Sequence, residues 1–261
     1  MTPPLLPAFV GTPTVNRVYQ VDALTLLRAL PDASVDLVVT SPPYNMRTSL
    51  NGARPASASS DWGKSQLLAG GYATYSDDLP HETYVRWQRQ ILSECLRVMT
   101  DKGAMFYNHK WRIQGGLLDM RSEIVAGFPV RQIIIWNQGG GVNHKPSFFS
   151  PQYEVIYLIT KPKFQITQKA TGYGDVWNIP RESNNQHPAP FPELLVERCL
   201  LSTTAQVILD PFSGSGTTAA VAKRLGRTYI GSDISFEYCE IARRRIDQPF
   251  TPPMFAEEGA A

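Results

Sequence analysis

One stretch near the end of the chain constrains the fold more than any other: Val207-Ile208-Leu209-Asp210-Pro211-Phe212-Ser213-Gly214-Ser215-Gly216-Thr217-Thr218. An apolar strand enters, two glycines turn the backbone sharply, and a helix leaves. A strand that runs straight into a helix needs a sheet beside it and a face to cover, so the chain reads as α/β. The loop lacks the third glycine of the dinucleotide fingerprint and the Gly-Lys-Ser/Thr ending of a phosphate loop. It is therefore suited to the carboxylate of an amino-acid ligand as well as to a phosphate. Asp233 ends the next strand, where a carboxylate can accept from both hydroxyls of a ribose. Together these point to a nucleoside-bearing ligand.

The strand-helix rhythm extends through the chain. Val35–Thr40 is an apolar run broken by Asp36, and it must stop at Ser41-Pro42-Pro43 because proline removes a donor and restrains its predecessor. Leu24–Leu30 predicts a short helix begun by Asp22. Pro80–Met99 predicts a long one, with Tyr84, Trp87, Ile91, Leu92, Cys95, Leu96 and Met99 at three-and-four spacing. Strands are expected over Ala104–Asn108, Arg131–Asn137, Tyr153–Thr160, Gln206–Leu209 and Thr228–Ile230, with a turn at Asp101-Lys102-Gly103. Helices are expected over Leu117–Gly127, Phe191–Leu201, Thr217–Leu225 and Ser235–Ile246. This alternation implies a mostly parallel sheet with helices on both faces. Residues 1–250 read as one domain, containing a mobile loop at 46–78 and a small recognition region at 138–180, with a disordered tail at 251–261.

Composition excludes several classes. Cys95, Cys199 and Cys239 fall in helical stretches and make no disulfide framework. No run approaches the roughly 18 apolar residues of a membrane span, and the start of the chain has no basic flank of a secretory leader. A cytoplasmic protein without membrane contact is expected. His81, His109, His144 and His187 do not pair with cysteines at zinc spacing, so no metal is expected. A net charge of +2 is too small to decide a nucleic-acid partner by itself.

A second corner carries chemistry. Thr40-Ser41-Pro42-Pro43-Tyr44-Asn45 lies at a strand's C-terminal end, where open α/β sheets bind ligands. The prolines fix carbonyl directions, Ser41 offers a hydroxyl, and Tyr44 offers a flat face for a planar base. An exocyclic amine held by two acceptors keeps its lone pair turned away from them, which suits attack on a methyl group. No cysteine stands at this corner, so it offers no thiolate nucleophile.

With these two motifs, and with Asn185-Gln186-His187-Pro188-Ala189-Pro190-Phe191-Pro192 ahead of the glycine loop, the chain resembles the S-adenosylmethionine-dependent DNA amino-methyltransferases of the β arrangement. The resemblance covers nearly the whole chain. It implies a Rossmann-like methyltransferase fold with a mostly parallel seven-stranded sheet. It implies that Ser41, the Pro42 carbonyl, Pro43 and Tyr44 form the catalytic corner, with Tyr44 stacked on a flipped base. It also implies that Asp22, Ala23, His187, Pro188, Asp210, Pro211, Phe212, Ser213, Gly214, Gly216, Thr217 and Asp233 bind S-adenosyl-L-methionine, leaving S-adenosyl-L-homocysteine as product. Double-stranded DNA would be met by Asn45, Arg47, Lys110, Arg112, His144 and Lys145. A homodimer and a separate cognate restriction endonuclease are the implied partners. Serine at position 41 is more typical of cytosine-N4 enzymes, whereas Pro-Pro-Tyr-Asn also occurs with adenine-N6 enzymes. Cytosine N4 is the expected target and adenine N6 the alternative. A noncatalytic DNA-binding protein and a nicotinamide oxidoreductase are the readings from other classes.

Overall fold

The computed structural model describes residues 11–45, 79–140, 147–182 and 191–248. Ten strands and five α-helices follow in chain order among them: β1 (Arg17–Gln20), α1 (Ala23–Ala29), β2 (Val35–Thr40), α2 (His81–Val98), β3 (Met99–His109), β4 (Arg112–Gln114), β5 (Leu117–Asp119), β6 (Val130–Asn137), β7 (Tyr153–Thr160), β8 (Val176–Asn178), α3 (Glu193–Leu201), β9 (Val207–Asp210), α4 (Thr217–Arg224), β10 (Thr228–Asp233) and α5 (Phe236–Asp247).

Eight strands form one sheet in the order β1-β10-β9-β2-β3-β7-β6-β8, and β4 pairs with β5 in a separate hairpin. The expectation of a seven-stranded, mostly parallel sheet is therefore corrected. The sheet is mixed, because β7 runs antiparallel to both β3 and β6. No helix is described between β6 and β7, and a parallel return needs a long crossover, usually helical. The direction of β7 was invisible in the sequence because the strand is buried along nearly its whole length and shows no alternation. It lies inside residues 138–180, and its core-facing side chains belong to the main sheet.

Two apolar layers cover the sheet. Leu37, Val39, Ala104 and Phe106 pack under α3, α4 and α5, while Val38, Met105 and Tyr107 pack under α1 and α2. The helix expected at Leu117–Gly127 is replaced by β5 and a 3-10 turn at Ser122–Ile124. Gly115 and Gly116 take positive φ angles of 60° and 82° and reverse the chain into the β4–β5 hairpin. Likewise the turn expected at Asp101-Lys102-Gly103 is absorbed into β3. Strands β1, β4 and β8, three or four residues each, are too short to leave a pattern. No helix among the described residues is long and apolar enough to cross a membrane.

Candidate active site

Strands β2 and β9 are parallel neighbours, with Leu37 opposite Ile208 and Val38 opposite Leu209. Their C-terminal ends carry the proline corner and the glycine corner. A buried hydrogen bond joins the two: Thr40 Oγ1 donates to Asp210 Oδ1 at 2.8 Å. The other oxygen of Asp210 accepts from Thr218 Oγ1 at 2.7 Å, and the Phe212 amide donates to Oδ1 at 3.1 Å. Burial drives the Asp210 carboxyl up to about 6 despite these donors.

At the glycine corner Gly214 and Gly216 have φ angles of 48° and 80°. A β-carbon on Gly216 would stand 2.7 Å from the Ala242 β-carbon, so α4 can meet α5 this closely only without a side chain there. Asp233, at the end of β10, accepts from the Gly214 amide at 3.1 Å and the Ser235 amide at 2.8 Å. Its carboxyl is also raised to about 6 by burial, partly offset by those amides. The Val21 amide donates to the Asp233 carbonyl at 3.1 Å, bringing Asp22 and Ala23 beside the same strand end. Asp22 caps α1 by accepting from the Thr25 amide at 3.0 Å. The Ser213 hydroxyl is buried with no described partner. An orphaned hydroxyl beside glycine turns fits the polar end of an amino-acid ligand. Phe212 packs edge-on to Trp87, and the Thr217 hydroxyl accepts from Arg245 at 2.8 Å.

The proline corner is held from further away. The Pro43 carbonyl accepts from Tyr84 Oη at 2.9 Å. Arg121 donates to the Tyr44 carbonyl, and Arg112 and Arg121 both donate to the Asn45 carbonyl, at 3.1 and 3.3 Å. Asp119 accepts from both guanidinium groups at 3.0 and 3.3 Å. Burial alone would raise the Asp119 carboxyl, but the two arginines hold it below its ordinary value. Arg112, expected at the DNA, is instead buried in this clamp. Asn45, also expected at the DNA, is buried and clasps Leu79: its amide donates to the Leu79 carbonyl at 2.8 Å and accepts from the Leu79 amide at 2.7 Å. His109 touches Tyr84 Oη at 2.9 Å, and burial and Arg121 push its pKa down to about 3, so its ring is neutral.

Inside the corner, Ser41 Oγ lies 2.7 Å from Tyr44 Oη. Tyr44 Oη donates to Glu154 Oε2 at 3.1 Å, and Asn108 Nδ2 donates to the same oxygen at 2.8 Å. Lys110 Nζ stands 3.7 Å from the other oxygen of Glu154. No described group donates a hydrogen bond to the Pro42 carbonyl. Arg47, His144, Lys145, His187 and Pro188, together with the 46–78 loop and the 251–261 tail, fall outside the described residues.

Glu154, Asn108, Tyr84 and Arg121 were missed as site residues. Glu154 did leave a signal, since it is a carboxylate in the otherwise apolar Tyr153–Thr160 run, and buried charges need a reason. All three cysteines are buried, and burial pushes their thiols up, so none offers a thiolate to a base.

Comparison with known proteins agrees with this geometry. The family model for DNA methylases of the N6/N4 type matches residues 35–244. The type II methyltransferase M.BglII of Bacillus subtilis is 31% identical, over 87% of this chain and 68% of its own length. The DNA adenine methyltransferase YhdJ of Escherichia coli K12 is 27% identical, over 87% of this chain and 81% of its own. The structure of the cytosine-N4-specific PvuII DNA methyltransferase superposes with a TM-score of 0.69 at 19% identity, covering 92% of this chain and 89% of that one.

Proposed function

The chain belongs to the N6/N4-type DNA methylase family, and on that premise we propose that this S-adenosylmethionine-dependent DNA amino-methyltransferase acts on the N4 amine of a flipped cytosine. The observation that carries N4 over N6 is the residue at position 41. A serine hydroxyl stands where most adenine-N6 enzymes that resemble this chain carry a carboxylate, and it sits against Tyr44 at 2.7 Å.

The cofactor supplies an electrophilic methyl group. The chain's own residues divide the remaining work. Asp233 receives the ribose, Asp22 and Ala23 border the adenine, and Asp210, Ser213, Gly214 and Gly216 line the methionine end. Ser41 and the Pro42 carbonyl take the two hydrogens of the target amine, so its lone pair faces the methyl group. Tyr44 stacks on the base, whose extrusion from the duplex costs a few kcal/mol, of which stacking returns ~1–3 kcal/mol. The Thr40–Asp210 bond keeps the two corners on one crevice. Preorganisation of this kind lets amine and methyl meet without rearrangement.

The test is methylation of genomic DNA followed by nucleoside mass spectrometry. N4-methylcytosine is the expected product. N6-methyladenine alone would reject the cytosine reading and leave the amino-methyltransferase activity standing.

A further inference from the structure

We propose that Glu154 is a positioning residue and the terminal proton acceptor of the reaction, acting through Tyr44 and Ser41. The inference rests on the reading of Ser41 as the acceptor of the target amine.

The direction of the hydrogen-bond chain follows from valence. An ionised carboxylate only accepts, so the single proton of Tyr44 Oη points to Glu154 Oε2. Tyr44 then has none to give Ser41, and the 2.7 Å contact requires Ser41 to be the donor. The amide of Asn108 also donates to Glu154 and to Tyr44 Oη, an orientation in keeping with the same polarity. Ser41 thus turns its hydrogen inward, accepts from Asn108 Nδ2 at 3.4 Å with one lone pair and keeps the other for an incoming N–H. Glu154 is 8% exposed, so this polarity is built into the interior. Asn108 Oδ1 is buried with no partner among the described residues, so the network is one donor short. An exocyclic amine brings donors.

The proton balance closes. The amine nitrogen forms its bond to carbon with its own lone pair while the C–S bond breaks and leaves its electron pair on sulfur. The N–H proton released passes to Ser41 Oγ. The Ser41 proton moves to Tyr44 Oη, and the Tyr44 proton moves to Glu154. Serine and tyrosine end neutral and unchanged. The positive charge of the sulfonium and the negative charge of the carboxylate disappear together, and glutamic acid returns its proton to water after product release. A serine corner therefore keeps a carboxylate, supplied by β7 through a relay rather than by position 41.

The experiment uses the full-length enzyme and the isosteric Glu154→Gln. Glutamine keeps an acceptor for Tyr44 but is not a base. The single-turnover rate is expected to fall about 100-fold, within the range of general base catalysis. Cofactor affinity by calorimetry, and base extrusion followed by 2-aminopurine fluorescence without turnover, should stay within about threefold of wild type, since both precede proton loss. Glu154→Asp should recover about tenfold of the lost rate. A Glu154→Gln rate within about threefold of wild type overturns the relay, as does a loss of rate matched by an equal loss of cofactor binding and base extrusion. Nucleoside mass spectrometry of the wild-type product separates the two readings. N6-methyladenine would end the cytosine assignment, whereas N4-methylcytosine with an unimpaired Glu154→Gln would end the relay alone.

Discussion

At the glycine corner, Asp210, Asp233 and the Gly214 amide are fixed by contacts within residues 207–245 and by bonds from Thr40 and the Val21 amide. At the proline corner, Ser41, Pro43, Tyr44 and Asn45 are held by Leu79, Tyr84, Asn108, Arg112, Arg121 and Glu154, drawn from one helix, three strands and the segments between them. The first is shaped by a tight backbone turn in which Gly216 leaves no room for a side chain. The second is shaped by distant side chains gripping carbonyls. A cofactor common to a whole reaction class can be served by a local device, whereas a corner that must seat one base depends on the rest of the fold.

The sharpest way to break this contrast is at Arg121, whose side chain is almost fully buried between Asp119, the Tyr44 and Asn45 carbonyls and the Tyr84 ring. Arg121→Ala strands the Asp119 carboxylate with one partner and frees the corner. It should cost about 3–5 kcal/mol in denaturant unfolding, as loss of one member of a buried pair does. An equally stable Arg121→Ala would show that the clamp is ornamental.

Next comes Gly216→Ala. A left-handed φ costs roughly 1–2 kcal/mol for an alanine, and the clash with Ala242 adds about 1–3 kcal/mol. Thermal unfolding checks the sum. A loss below about 1 kcal/mol would mean that α4 and α5 separate easily.

Tyr44→Ala tests the corners against each other. Turnover should drop about 100-fold or more while cofactor affinity holds, since ring stacking serves the base alone. Equal activity would reject the stacking role.

The smallest effect is a pH dependence at Asp233. Its folded pKa of about 6 lies above the ordinary value near 3.9, so the ionised group opposes folding. Its contribution to the stability of the free protein is full below about pH 4 and is lost as pH rises through about 6. Cofactor affinity has the opposite sign, because only the carboxylate accepts from ribose hydroxyls. Lowering pH from about 7.5 to about 5 should weaken binding at least about tenfold by calorimetry, and Asp233→Ala should reduce that dependence to the share left by Asp210, along with much of the affinity.

Legibility in the sequence followed the same division. The glycine loop, Asp233 and the order of β9, α4, β10 and α5 could be read directly, because turn chemistry and periodicity are local. So could Val35–Thr40 and the proline stop after it. The antiparallel β7 could not, because a strand buried on both faces carries no sign of its direction. Leu117–Gly127 reads as a helix because Leu117, Leu118, Ile124 and Val125 stand at helical spacing, whereas Gly115 and Gly116 turn the chain into a hairpin there. Arg112 read as a DNA contact because charge suggests surface, whereas its partner Asp119 becomes adjacent only after the hairpin forms. Glu154 reaches Ser41 through tertiary structure alone.

The Asn45 side chain joins the residues on either side of 46–78 with a matched pair of bonds to Leu79. The chain entering residues 46–78 and the chain leaving them are thereby tied to each other, so an insert at this place closes across a fixed gap. Doubling the length of such an insert costs only about 0.6 kcal/mol in closure entropy. A longer or shorter insert between these two tied ends would therefore change the free energy of the fold by little.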